Sequence, residues 1–173
     1  MCLDASLVQP LHTLSHDAPD DYCAVVGGYV YRGIRLPELN GRYLYANYCE
    51  PNIRSLVVQP DGGDGYIAVD DTDHTLEFDP DGLLATIVSF GADHRGELYI
   101  TSFQNSSSDG ALWKIVAACP ADISRDGVVG VDDMLLALGS FGPCDPCIAD
   151  IDDDGNVDVD DLLTILAAWG DCE

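Results

Sequence analysis

The stretch Cys119-Pro-Ala-Asp122-Ile-Ser124-Arg-Asp126-Gly127-Val-Val-Gly130-Val-Asp-Asp133 recurs as Cys147-Ile-Ala-Asp150-Ile-Asp152-Asp-Asp154-Gly155-Asn-Val-Asp158-Val-Asp-Asp161. The offset is 28 residues, as between Asp122 and Asp150. It holds without a gap through Phe141/Trp169, Gly142/Gly170 and Cys144/Cys172. Such self-similarity is the signature of one supersecondary unit built twice.

Both copies carry oxygen donors at regular intervals. A Ca²⁺ ion takes roughly six to eight oxygens, and a loop of about 12 residues supplies them from positions 1, 3, 5, 7, 9 and 12, with Gly at position 6 for the turn. In the first loop these are Asp122, Ser124, Asp126, the Val128 carbonyl, Gly130 (through a water) and Asp133, with Gly127 at the turn. In the second they are Asp150, Asp152, Asp154, the Asn156 carbonyl, Asp158 and Asp161, with Gly155 at the turn. The spacing predicts two Ca²⁺ sites. Each loop ends in Asp where the EF-hand pattern has Glu, and a shorter carboxylate chelates if the exiting helix sits closer. The second loop has more carboxylates and is expected to bind more tightly.

Each loop runs into an apolar segment. Helical spacing puts Val131, Met134, Leu135 and Leu138 on one face, and Val159, Leu162, Leu163, Leu166 and Trp169 on the equivalent face of the second copy. Gly139 and Gly170 are expected to stop the helices. No incoming helix precedes either loop, so each copy reads as half an EF-hand. Residues 119–173 therefore resemble a dockerin domain, the duplicated loop-helix module that joins bacterial extracellular proteins to a cohesin partner. The resemblance implies a small α-helical calcium-binding domain and a cohesin-like partner. Its recognition positions fall on Val131-Asp132 and Val159-Asp160. Dockerins carry polar pairs there and basic residues late in each helix; here the late positions hold Leu138 and Leu166, and Arg125 is the module's single base.

The net charge is −24. Residues 119–173 hold 14 acids against one base, and residues 1–118 hold 17 against six. Such a surface repels nucleic acid and anionic membrane. No stretch is apolar and long enough to span a bilayer. Seven cysteines point to an oxidising, extracellular or cell-surface setting. The start, Met1-Cys-Leu-Asp-Ala, has neither a basic region nor an apolar run, so it does not read as a signal peptide. The secreted character of the rest predicts that the chain is a piece of a longer protein.

Residues 1–118 read as mainly β. Strands are predicted over Cys23–Tyr31, Arg42–Tyr48, Ile53–Val58, Thr75–Phe78, Thr86–Phe90, Glu97–Phe103 and Ala111–Val116, with turns at Leu36-Pro37, Pro60–Gly63, Asp79–Gly82 and Asp93–Gly96. That spacing means antiparallel sheet, in a sandwich or in propeller blades. The runs Cys23-Ala-Val-Val-Gly27-Gly28-Tyr29-Val30-Tyr31-Arg32-Gly33, Leu36-Pro-Glu-Leu-Asn-Gly41-Arg-Tyr43 and Ser89-Phe90-Gly91-Ala-Asp93-His-Arg-Gly96-Glu97-Leu98-Tyr99 resemble the last blades of the glucose/sorbosone dehydrogenase family. These are β-propellers that often use pyrroloquinoline quinone (PQQ). The resemblance implies a partial propeller with antiparallel blades. It does not carry the activity, because the family's general-base His lies in an early blade outside this chain. Thr86-Ile87-Val88 stands where quinone-binding arginines are wanted, and the Tyr48-Cys49-Glu50 turn lacks the lysine. PQQ binding and catalysis are therefore not expected of this chain alone. His16 matches a His before the family's Gly-Gly-Tyr strand and reads as structural. His12, His74 and His94 lack partner spacing, and Arg32 and Arg42 read as surface bases. Asn105-Ser106-Ser107 is a sequon in a polar loop.

Cys23 and Cys49 lie on strands expected to be neighbours, which makes them a disulfide pair. Repeat symmetry allows Cys119–Cys144 with Cys147–Cys172, or Cys119–Cys172 with Cys144–Cys147. A loop-helix pair related by a pseudo-twofold runs antiparallel and sets the start of one copy beside the end of the other, which favours the second scheme. Cys2 is left over. Two domains are expected, 1–118 and 119–173. Three readings follow: a calcium-dependent docking module on an inactive propeller fragment, the C-terminal part of a PQQ-dependent sugar dehydrogenase, and a calcium staple without a cohesin partner.

Overall fold

The computed structural model describes residues 10–16, 23–50, 52–103 and 109–172. They are mainly β, in antiparallel sheets with short helices. The Asn105 sequon and Cys2 lie outside the described residues. The chain divides into two compact units. One takes the described residues up to Tyr31, Gly41–Gly91 and Leu98–Trp113; the other takes Arg32–Asn40, Ala92–Glu97 and the residues from Lys114 onward.

The first unit is built on a four-stranded meander: β1 (Val25–Val30), β2 (Tyr43–Asn47), β3 (Asn52–Pro60) and β4 (Tyr66–Asp73), each pairing antiparallel with the next. A second sheet has the order β5 (Thr86–Ala92), β6 (Leu98–Phe103) and β7 (Gly110–Lys114). Leu44, Ala46, Ile53, Leu56, Ile87, Leu98 and Ile100 are buried. Cys23 is bonded to Cys49. The register slips between Val26 and Tyr29, opposite β2. There Gly28 donates its N–H to the Tyr43 hydroxyl at 2.9 Å.

Two expectations fail in this unit. Strand β4 was not foreseen, because its second half, Val69-Asp-Asp-Thr-Asp73, reads as polar loop; pairing with β3 makes it a strand. Thr75–Phe78 is a helical turn, α1, not a strand. Its residues have strand propensity, but Asp73 Oδ1 accepts from Thr75 N (2.9 Å) and Oγ1 (2.6 Å). The His74 carbonyl then accepts from Glu77 N (3.1 Å) and Phe78 N (2.9 Å), which closes the turn. Local hydrogen bonds outweigh a propensity that spans only about 1 kcal/mol. Burial works against the charged form of Asp73, yet Thr75 and Arg54 outweigh it and hold the carboxyl below its usual range.

The second unit contains the repeat, and each copy folds alike. A short strand leads into a helix and then a second short strand: β8 (Val128–Val129), α2 (Val131–Gly139), β9 (Gly142–Pro143), then β10 (Asn156–Val157), α3 (Val159–Ala167), β11 (Gly170–Asp171). The pairings cross over, β8 with β11 and β10 with β9. Cys172 N donates to Gly127 O at 3.0 Å, and Cys144 N to Gly155 O at 2.9 Å. This antiparallel exchange brings Cys119 to Cys172 and Cys144 to Cys147, and both pairs are disulfides. Val129, Val157, Ala137, Ile165, Ala121, Ile123 and Ala149 form the core. Disulfides persist in oxidising compartments, so three of them place this fold in such a setting. Among the described residues no helix is long and apolar enough to cross a membrane.

The helices depart from the expected pattern in two ways. Gly139 ends α2 as expected, but Gly170 does not end α3. Gly139 is the last residue of α2, and α3 ends at Ala167, with Ser140 and Ala168 closing the final turns. Beyond the helix ends, Gly142 (φ 119°) and Gly170 (φ 131°) take left-handed backbone and turn the chain into β9 and β11. The apolar stripe is also not the buried one. Asp133 and Ala137, and Asp161 and Ile165, face inward, with Met134 and Leu162 partly buried. Val131, Leu135, Leu138, Val159, Leu163, Leu166 and Trp169 are exposed. The inward aspartates satisfy backbone donors at the helix starts, and this sets the rotation of each helix.

Candidate metal centre

Each loop is a wrapped turn whose first aspartate collects the backbone donors. Asp122 Oδ1 accepts from Arg125 N (2.6 Å) and Asp126 N (3.2 Å), and its Oδ2 from Gly127 N (2.9 Å). Asp150 Oδ1 accepts from Asp154 N (3.0 Å) and its Oδ2 from Gly155 N (3.0 Å). Asp126 and Asp154 each accept the N–H two residues on, from Val128 (2.9 Å) and Asn156 (2.8 Å). The wrapping requires left-handed backbone at Gly127 (φ 88°) and Gly155 (φ 94°), and again at Arg125 (φ 63°) and Asp153 (φ 64°).

The end positions sit on the helices. Asp133 Oδ1 accepts from Ser124 N (2.8 Å) and Oδ2 from Gly130 N (2.7 Å). Asp161 Oδ1 accepts from Ile151 N (2.6 Å) and Oδ2 from Asp158 N (2.8 Å). Both carboxylates are buried. Two N–H donors outweigh burial and hold the Asp133 carboxyl below its usual range. Each oxygen keeps a lone pair after one such bond, so these groups fit a metal as well as the capping role. Asp158 also caps α3, accepting from Asp160 N at 2.9 Å. Val128 and Asn156 lie in β8 and β10. Val131, Asp132, Val159 and Asp160 are exposed on the first turns of the helices.

The second loop has the donor chemistry of a hard-cation site. Asp150, Asp152 and Asp154 each place a carboxylate oxygen such that all three lie within 4.8 Å of one another. Burial, and then the carboxylates of Asp154, Asp161 and Asp150, push the Asp152 carboxyl above its usual range. Crowded oxygens with no nitrogen or sulfur among them suit Ca²⁺ rather than a soft transition metal. In the first loop Ser124 takes the middle place and donates to Asp122 Oδ1 at 3.2 Å. No family model matches the chain.

Cations from distant parts of the chain surround the second loop. Asp153, which is not a ligand position, receives Arg35 Nη2 (2.6 Å) and Arg95 Nη1 (2.8 Å) on Oδ1 and Lys114 on Oδ2. Arg95 Nη1 also lies 3.1 Å from Asp150 Oδ2, and Arg95 Nε 3.0 Å from Asp145 Oδ1. Burial opposes the charge on Asp153, but Lys114 and Arg35 outweigh it and lower its pKa. These bases stand far from the loop in sequence, so no local pattern could reveal them.

In the first unit, His74 and Arg42 are better partnered than the sequence suggested. Ser55 Oγ is 2.7 Å from His74 Nε2, and His74 Nδ1 is 2.8 Å from Glu77 Oε2. The His-x-x-Glu spacing was the visible signal; Ser55 comes from the neighbouring strand. The order resembles a nucleophile–base–acid triad, but Ser55 is 0% exposed and its Oγ accepts from Arg42 Nε at 2.6 Å. A hydroxyl enclosed in this way reaches no substrate and serves as a structural link. Arg42, expected on the surface, also binds Asp70 Oδ2 (2.6 Å) and Thr72 Oγ1 (3.0 Å). Arg42 holds the Asp70 carboxyl below its usual range. Ser55→Ala strands His74 and Arg42 and is expected to cost about 1–3 kcal/mol, measured by urea unfolding. A change within about 0.3 kcal/mol would refute that role.

Proposed function

We infer that the tandem loops bind two Ca²⁺ ions and that the module is a calcium-dependent docking domain of dockerin type. It is carried by a β part derived from a sugar dehydrogenase-like propeller and works outside the cell or at its surface. The observation that carries the reading is the convergence of the Asp150, Asp152 and Asp154 carboxylates within 4.8 Å, in a loop whose backbone repeats in the first copy. Bound Ca²⁺ would neutralise these crowded acids. The protein's own contribution is the wrapped backbone and the two capping aspartates that fix the carboxylate directions. Calorimetric calcium titration tests this: two sites are expected, with affinity on the order of 10⁻⁶ to 10⁻⁴ M, and a flat titration refutes it.

The docking half of the reading is supported by the outward apolar surface. Val131 is 62% exposed and Val159 57% exposed, on equivalent first turns. Leu135 and Leu138 continue the first face, and Leu163 and Leu166 the second. Monomeric proteins rarely leave such patches uncovered. A partner that reads one helix start could read the other after a half-turn of the module. Val131→Lys with Asp132→Lys is expected to weaken capture of a cohesin panel by no more than a few fold, while the same change on both helices abolishes it. A single-face variant that eliminates binding would show that the faces are not interchangeable. Failure of every cohesin to bind, with calcium bound, would leave the module a structural calcium staple.

A further inference from the structure

The fourth position of each loop is not a calcium ligand, and its chemistry is reversed between the copies: Arg125 in the first, Asp153 in the second. Both have the same left-handed backbone, φ 63° and 64°, so both side chains are thrown outward from the wrapped turn. Both then meet the same piece of chain. The Arg125 guanidinium donates to the carbonyls of Arg35 (2.7 Å) and Ile34 (3.3 Å) and lies 3.5 Å from Glu38 Oε2. Asp153 takes the Arg35 side chain at 2.6 Å, and Arg35 Nη2 also donates to the Asp150 carbonyl. The amides of Ile34 and Arg35 are held from behind by Glu97 Oε1, at 3.0 and 3.2 Å. Arg95, two residues before Glu97, is fixed on Asp153 and Asp150.

Charge and burial make this more than a surface coincidence. The chain has seven Lys and Arg against 31 acids, yet three of those bases converge on the Asp153 carboxylate. The guanidinium side chains are only 11% (Arg35) and 10% (Arg95) exposed. Isolated exposed ion pairs contribute little, but a partly enclosed network of several charges is the exception.

We propose that the non-ligand fourth positions of the two loops form a calcium-dependent clamp that seats residues 32–40 and 92–97. The idea rests on the calcium reading above. The loop throws Asp153 outward only when it is wrapped, and the wrapped loop forces Asp150, Asp152 and Asp154 together. Neutralising those acids keeps the loop closed and the clamp set; when they repel one another, the loop opens and the two segments come loose. By linkage, seating of the segments and calcium affinity support each other. Loss of calcium would then be felt in residues remote in sequence from the tail.

Hydrogen exchange on the full chain, read by mass spectrometry alongside calorimetry, tests the clamp. In wild type, calcium is expected to slow exchange of peptides covering 32–40 and 92–97 about tenfold or more relative to EGTA. Asp153→Asn with calcium should still bind two ions and protect α2 and α3, but exchange at 32–40 and 92–97 as the wild type does in EGTA. Arg125→Gln, a change at an exposed side chain, should loosen 32–40 and leave 92–97 protected; it decides the matter if Asp153→Asn does not fold. Two bound ions with equal exchange of both segments in calcium and EGTA overturn the clamp and leave the calcium sites standing. A flat titration removes the calcium reading itself, and the calcium dependence of the clamp with it.

Discussion

Asp150→Ala is expected to reduce the calorimetric stoichiometry from two calcium ions to one. The Asp150 carboxylate is 0% exposed, holds the Asp154 and Gly155 amides, and is the buried member of the three-aspartate group. Its removal takes away a ligand and the hydrogen bonds that shape the loop. The second site should weaken to about 10⁻³ M or worse, while the first loop, with its own Asp122 and Asp126, keeps its ion. Chelation of the wild type should lower the unfolding temperature of the module. A ligand at 100 times its Kd stabilises by about 2.7 kcal/mol per site. Two ions bound with unchanged affinity by the Asp150→Ala protein would show that the second loop is not a site.

The second large effect concerns the β part. Gly28→Ala should destabilise the first unit by about 3 kcal/mol or more. A Cβ on Gly28 would stand 1.4 Å from Leu44 O and 2.5 Å from its carbonyl carbon. Those are backbone atoms of the paired strand and cannot step aside without breaking the β1–β2 ladder. Gly27→Ala is the control, because its Cβ meets the Tyr43 hydroxyl at 3.7 Å, an ordinary contact. Its cost should stay within about 1 kcal/mol. Urea unfolding separates the two, and equal costs would contradict the close approach.

The wrapped loops were legible because their information is local. Positions 1, 3 and 5 and the turn glycine act on one another within a few residues, so spacing alone predicts the wrapped turn. The cysteine pattern was legible to the extent that the repeat implied a pseudo-twofold. The exchange of β8 with β11 and β9 with β10 is the pairing that brings Cys119 to Cys172 and Cys144 to Cys147. The composition of Thr75–Phe78 speaks for strand, whereas Asp73 and His74 close a turn there. Strand β4 was missed because its identity depends on pairing with β3, not on its own polar residues.

The sequence by itself determined the duplicated loops, their oxygen donors, the mainly β character of the earlier residues, and the strong negative charge. These follow from periodicity and near-neighbour chemistry. The tertiary structure decided the rest: that Asp133 and Asp161 rather than the leucine stripe face inward, that Ser55 joins His74 and Arg42 in a closed network, and that Arg35, Arg95 and Lys114 converge on Asp153. Each of these depends on which distant residues come to share a neighbourhood. A helix turns toward the backbone donors that its buried carboxylates can satisfy, and a base goes to the enclosed acid that compensates its lost hydration.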